Sequence, residues 1–190
     1  MQFFYKGDVL LVCAGRDESF DFAKSIGIGL VESALNLSRL CLLEKPNILI
    51  FIGTAGSYDL NMPLLSLYKS VRSTQIEQSF TLQDSYTPLE NYLEIQEYKF
   101  DTWDLPSVVV NSSNYIHTNP IFSKHMHAAG IALENMEFFS VLSVARSYAI
   151  PSLGIFCTTN YTQKSAHQEF LKNHSQAKTR LQEWVQTHLL

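Results

Sequence analysis

The sequence predicts an α/β domain, with a mixed, largely parallel central sheet flanked by helices in three layers. Two observations predict it. Short runs at Val9–Cys13, 48–52, 107–111 and 152–157 are strand-sized and apolar, most without a break, as in strands buried on both faces. Longer segments with helical spacing alternate with them. The 190 residues suit one domain, 1–190, and a 46% hydrophobic composition supports a sizeable core.

Val9–Cys13 reads as a strand and 20–25 as a second. Arg16, Asp17, Glu18 and Ser19 form a turn between them, so the pair reads as a hairpin. Gly27-Ile28-Gly29 then opens a helix, Leu30–Glu44, with Val31, Ala34, Leu35, Leu42 and Leu43 at helical spacing, stopped before Pro46. The run 48–52 is a buried strand, with Gly53-Thr54-Ala55-Gly56 as the loop after it. Residues 64–71 read as a strand. The polar and aromatic stretch 75–103, with Glu77, Asp84, Glu90, Glu94 and Glu97, reads as an irregular flap or an oligomer contact. Then come a strand (107–111), a short helix (122–129), a strand (131–136), a helix (137–148) and a strand (152–157). An amphipathic helix, 165–190, closes the chain, its stripe carrying Phe170, Leu171, His174, Leu181, Trp184, Val185 and Leu189.

The formal charge of −4 and the lack of a Lys/Arg cluster argue against a nucleic-acid partner. The opening residues lack the basic region of a signal peptide, and no apolar run approaches the ~20 residues of a membrane span. Cys13, Cys41 and Cys157 lie in apolar runs without metal-like spacing, as expected of reduced core thiols in a cytoplasmic protein. His125 and His127 would point to different sides of a helix, so no metal site is expected. Gly27-Ile28-Gly29 lacks the third glycine of a dinucleotide fingerprint and reads as close packing at a helix start near an anion or ribose.

In open α/β sheets ligands bind beyond the carboxyl ends of strands. That rule selects 53–55, 111–117, 135–137 and 158–160. The same segments carry a resemblance. Lys24 to Gly29, Ile52-Gly53-Thr54-Ala55-Gly56, Ser113-Asn114-Tyr115-Ile116, and Glu134 to Asn160 together resemble the nucleoside phosphorylase superfamily. Within it they are most similar to the 5'-methylthioadenosine/S-adenosylhomocysteine nucleosidases. The resemblance implies a Rossmann-like three-layer fold and cleavage of the N-glycosidic bond of a purine nucleoside. It implies no cofactor, phosphate as a possible co-substrate, and a homo-oligomer.

By that resemblance Glu137 holds the ribose hydroxyls, Met136 packs beneath the sugar beside Asn135, and Thr54 faces the nucleophile with Gly53 and Ala55. Tyr115 stacks on the base, Ile116 holds its edge, and Thr159 and Asn160 lie against the base. The residue types suit these roles. A carboxylate forms charge-assisted hydrogen bonds and stabilises a sugar with oxocarbenium character. Small residues let a ligand approach the backbone. A tyrosine stacks through its ring.

Three departures from the family pattern stand out. Family nucleosidases carry an Asp that protonates the base where Asn160 stands. An amide is no general acid, so a contribution of about 10²–10⁴-fold is in question, although Asn still bonds a base edge. The hairpin reading removes the family's first strand and the Glu that positions its water. With Val9–Cys13 as that first strand instead, Asp17 or Glu18 stands in. The phosphorylases' phosphate-binding arginine would fall near Phe51, with Arg16 as a substitute only under the first-strand reading. Two functions therefore stay open: a nucleoside-cleaving enzyme, or a degenerate member that binds a nucleoside or base, or partners an active relative, without turnover.

Overall fold

The computed structural model describes residues 9–81, 86–95 and 103–190. Asp84 and Glu97 of the acidic stretch lie outside them. The described strands are β1 (Val9–Cys13), β2 (Lys24–Ser25), β3 (Ile48–Ser57), β4 (Leu67–Thr74), β5 (Tyr92–Glu94), β6 (Ser107–Ser112), β7 (Leu133–Asn135) and β8 (Ser152–Tyr161). The helices are α1 (Leu30–Glu44), α2 (Gln78–Thr81), α3 (Pro120–Ala128), α4 (Phe138–Ser147) and α5 (Ala166–His188).

The sheet runs β2-β1-β3-β7-β6-β4-β5, and β8 pairs with both β3 and β4. β3, β7, β6, β4 and β8 therefore pair in a closed circuit. The sheet is mixed, as predicted: β7 meets β3 antiparallel and β8 meets β4 antiparallel, while β1, β3 and β8 run parallel.

Side chains alternate across a strand, and both faces are apolar here. From β1 and β3, Leu10, Val12, Leu49 and Phe51 enter one core, shared with Leu37 and Cys41 of α1 and with Phe138, Val141 and Leu142 of α4. Leu11, Cys13, Ile48, Ile50 and Ile52 enter the other, shared with Ala177, Leu181, Trp184 and Val185 of α5. That double burial is why these strands lack a polar alternation. All three cysteines are free and buried.

Five expectations from the sequence are corrected. Val9–Cys13 and 20–25 do not form a hairpin: only Lys24 and Ser25 join the sheet, parallel to β1. A turn folds Glu18 N–H onto the Gly15 carbonyl at 3.0 Å, and Phe20 and Phe22 stack on each other beside the α5 core and leave the ladder. Residues 53–56 are not a loop, because β3 continues through Ser57, paired on one edge with β8 and at its end with β7. On α1 the inward residues are Ser33, Leu37 and Cys41, and Val31, Leu35, Leu42 and Leu43 face outward. On α5 Leu171 is exposed, and the buried seam runs through Ala177 and Leu181 to Val185. The 75–103 stretch also contains α2 and β5, so it is not wholly irregular.

Candidate active site

A cavity of about 350 Å³ lies beyond the ends of β1, β3, β7 and β8, a volume within the range of small-molecule sites. Its walls include Arg16, Asp17 and Glu18 from the loop after β1, Thr54, Ala55 and Gly56 from β3, and Glu134 to Glu137 from β7 and the start of α4. Thr159 and Asn160 of β8 and Ala166, His167, Phe170 and His174 of α5 complete it, with Ile28 and Ile116 at its rim.

Glu137 is buried at the N-terminus of α4, where the backbone has left β7. The Asn135 side-chain oxygen accepts from the amides of Glu137 (2.7 Å) and Phe138 (2.9 Å), fixing the strand-to-helix corner. Glu137 Oε1 in turn accepts the Gly29 amide at 3.0 Å, and Asn114 Oδ1 accepts the next amide, Leu30, at 2.9 Å. Open amides at the start of α1 are thus capped by side chains distant in sequence. Gly29 has φ 82 and ψ 171, a conformation that favours glycine.

Glu18 reaches the cavity from the opposite wall. Its Oε1 accepts the Thr54 amide at 3.0 Å and lies within bonding reach of the Thr54 hydroxyl. Burial pushes Glu18 up to about 7, against the lowering effect of the Thr54 bonds. Burial likewise pushes Glu137 up to about 7, and the Glu18 charge adds to that rise. The cavity therefore holds two carboxyls, each pushed up toward neutral pH chiefly by burial, the range in which a general base works best.

Asn160 faces the same space through a β-bulge. Ala55 pairs with Thr158 but Gly56 pairs with Asn160, so Thr159 is the extra residue; bulges re-aim side chains beside sites. Asn160 Oδ1 accepts from the Thr159 hydroxyl at 2.8 Å, and its Nδ2 donates to the Tyr161 carbonyl at 3.2 Å. A Cβ on Gly56 would stand 3.0 Å from that Nδ2, so the glycine leaves the amide open to the cavity.

The structure thus brings together Thr54, Ala55, Ile116, Asn135, Met136, Glu137, Thr159 and Asn160. Gly53 lies behind the wall, where an added Cβ would meet Phe51 at 2.6 Å. Tyr115 is 71% exposed and lines a separate groove with Glu77 and Asn119, so its ring is not in the cavity wall. Glu18 is a candidate only under the first-strand reading, where Asp17 or Glu18 stands in for the family's Glu; the hairpin reading has no place for it. In the structure Gly15 and Arg16 both take positive φ, and the turn they form places Glu18 against Thr54 of β3. Glu134 was also missed, because a glutamate inside an apolar strand shows its role only through its partners. No group of three His, Cys, Asp or Glu side chains that could hold a metal ion is present among the described residues, and no helix of the described residues is long and apolar enough to cross a membrane.

No family model matches the sequence, and no curated protein matches it. Solved structures do match in fold. An Asp-to-Asn variant of the Helicobacter pylori nucleosidase MTAN, with 5'-methylthioadenosine in its active site, superposes with a TM-score of 0.79 at 14% identity, covering 95% of this chain and 96% of that one. Futalosine hydrolase of H. pylori gives 0.76 at 14% identity over 94% and 95%. The S. pneumoniae 5'-methylthioadenosine/S-adenosylhomocysteine nucleosidase, with the transition-state inhibitor MT-ImmA, gives 0.74 at 12% over 92% and 95%. The chain has the fold of these nucleosidases.

Proposed function

We propose that the protein cleaves the N-glycosidic bond of a purine nucleoside and releases the free base. The observation that carries the reading is a pair of carboxyls, half-buried Glu18 and buried Glu137, on one cavity with Asn160 at strand ends. Glu137 holds the sugar hydroxyls and opposes the positive charge that develops as C1' loses the base. Glu18, aided by Thr54, takes a proton from the water that attacks C1'. The bond electrons leave with the base, whose edge Asn160 bonds; the base takes a proton from solvent water, and Glu18 returns to solvent the proton it took. Met136 packs under the sugar, and Ile116 borders the base.

The 5'-methylthioadenosine bound by one fold neighbour and the futalosine cleaved by another support a nucleoside-like ligand. Hydrolysis is favoured over phosphorolysis because a carboxyl faces the Thr54 hydroxyl; Arg16 also lines the cavity, so phosphate belongs in the assay. The exposed apolar face of α1, with Val31 and Leu35, supports a homo-oligomer, and the three buried thiols support a cytoplasmic location for purine salvage.

A second reading, a protein that binds a nucleoside or base without turnover, is favoured by one observation. Asn160 stands where the resemblance places an acid, and an amide transfers no proton. Incubation with methylthioadenosine, S-adenosylhomocysteine, adenosine, inosine and guanosine, with and without phosphate, decides. Release of base supports the enzyme, and phosphate dependence marks a phosphorylase. Binding of a nucleoside without any release would overturn it in favour of the second reading.

A further inference from the structure

The loop that carries Glu18 is open to solvent on both sides of that residue. Arg16, Asp17 and Ser19 are exposed, and Glu18 is half-buried among them. The turn itself is small: the Glu18 amide donates to the Gly15 carbonyl at 3.0 Å, and the Ser19 amide to the Arg16 carbonyl at 3.2 Å. Toward β3 the loop is tied by the Glu18 carboxyl, through the Thr54 amide. A carboxyl that takes up a proton is a poor anchor for its own loop, because protonation weakens the bonds it accepts. A second attachment comes from α5. Lys178 Nζ donates to the Asp17 carbonyl at 2.7 Å, across 161 positions of sequence, and stands 5.4 Å from the centre of the Phe20 ring.

Lys178 thus grips the chain on either side of Glu18. A bond from an ammonium donor is charge-assisted and stronger than a neutral one. A cation within about 6 Å of an aromatic face is attracted to it. The support behind Lys178 is rigid: its neighbours on α5, Ala177 and Leu181, are fully buried in the core that also takes Phe20. Residues four apart share a helix face. Phe170 and His174, which line the cavity, therefore lie on the same face as Lys178. The helix that walls the cavity also holds the loop of the carboxyl opposite Glu137.

We infer that Lys178 is a positioning residue that fastens the Glu18 loop to α5. The inference rests on the proposed function, in which Glu18 takes the proton from water. Lys178 acts in two ways. Its bond to Asp17 keeps the loop in place through both protonation states of Glu18. Its charge favours ionised Glu18, against the rise that burial imposes. The other titratable groups around Glu18 are Arg16 and Asp17 in its own loop, Cys13 at the end of β1, Glu137 across the cavity, and His167 and His174 on α5. Glu18 and Glu137 repel each other when both are charged. Lys178 therefore offsets both burial and Glu137.

The test reads Glu18 in two ways in the intact protein. NMR of protein labelled at its glutamate carboxyls follows the Glu18 titration midpoint, assigned by its loss in Glu18→Gln. The pH dependence of base release follows its catalysis. Lys178→Met removes the ammonium group and keeps an apolar stem for packing. The midpoint should rise by roughly half a pH unit or more, and the acid limb of kcat should move up with it. The kcat plateau above that limb should fall roughly tenfold, since misplacing a reacting group by about 1 Å costs up to about 10²-fold. KM should stay within about threefold, as for a loss confined to the transition state. Lys178→Arg keeps charge and donor and should restore midpoint and plateau. Lys172→Met, at an exposed position of the same helix, should change neither. An unmoved midpoint in folded Lys178→Met, or no rescue by arginine, would overturn the positioning role whether or not base is released. A shifted midpoint in a protein that releases no base from any nucleoside would overturn the proposed function and keep the link between Lys178 and Glu18.

Discussion

Replacing Glu18 by Gln probes the carboxyl pair directly. Glu18 anchors its loop by accepting the Thr54 amide at 3.0 Å, and a glutamine oxygen can accept the same bond. What disappears is the ability to take a proton. A positioned general base contributes about 10²–10⁴-fold, and kcat for base release is expected to fall by that factor. The pH profile should move as well. The Glu18 charge is one reason Glu137 is pushed up to about 7, so the acid limb of the residual activity should shift to lower pH.

Stability should change in the opposite sense to activity. Glu18 is raised from an ordinary value of 4.5 to about 7 in the folded protein. The folded state then keeps a proton that the unfolded state has released. The resulting stability is complete below about 4.5 and is lost as pH rises through about 7. At 1.36 kcal/mol per pKa unit this would be roughly 3 kcal/mol for a group wholly shielded from water. Glu18 is only half-buried by surface, so about 1–2 kcal/mol is the working figure, or roughly 2–8 °C in a chain of this size. The variant should melt several degrees above the unmodified protein at pH 8 and close to it at pH 4. Base release and thermal melts across that range check both halves. A folded variant with unchanged kcat and an unchanged acid limb would refute the assignment of Glu18 as base.

Three further outcomes are expected. Glu137→Gln should lower kcat/KM for nucleosides by about 10²-fold while leaving free-base binding unchanged, read by base release and titration. Gly29→Ala combines φ 82 with a Cβ 2.9 Å from Asn114 Oδ1, and should cost about 1–3 kcal/mol in a denaturant melt. Gly56→Ala puts a Cβ 3.0 Å from Asn160 Nδ2 and 3.2 Å from Thr162 Cγ2; KM should rise by roughly tenfold or more, the equivalent of one lost neutral hydrogen bond.

Much of the fold was legible because it rests on local pattern. β1, β3, β6 and β8 are apolar on both faces, α1 starts at glycines and stops before Pro46, and α4 starts where Glu137 follows a strand. The corner at 134–137 and the end of β8 at Asn160 could be read for the same reason: each is a change of element. The outward face of α1 was misread because helical spacing gives a stripe and not its direction. Val31 and Leu35 have the right period, yet the packed residues are Ser33, Leu37 and Cys41. The hairpin was misread because a tight turn at 15–18 looks the same whether the chain pairs antiparallel or passes on to a parallel edge.

By itself the sequence determined the kinds of element, their order, and the carboxylate and amide that end the penultimate and last strands' segments, since periodicity and strand ends are written in neighbouring residues. Only the tertiary structure decided that Glu18 meets Thr54, that Glu137 caps α1, and that Glu134 and Asn160 flank Gly56. Those contacts join residues 36, 108 and more than 70 positions apart or depend on a bulge in β8. Long-range register is fixed by packing of whole faces, and it leaves no trace in the spacing of any one segment.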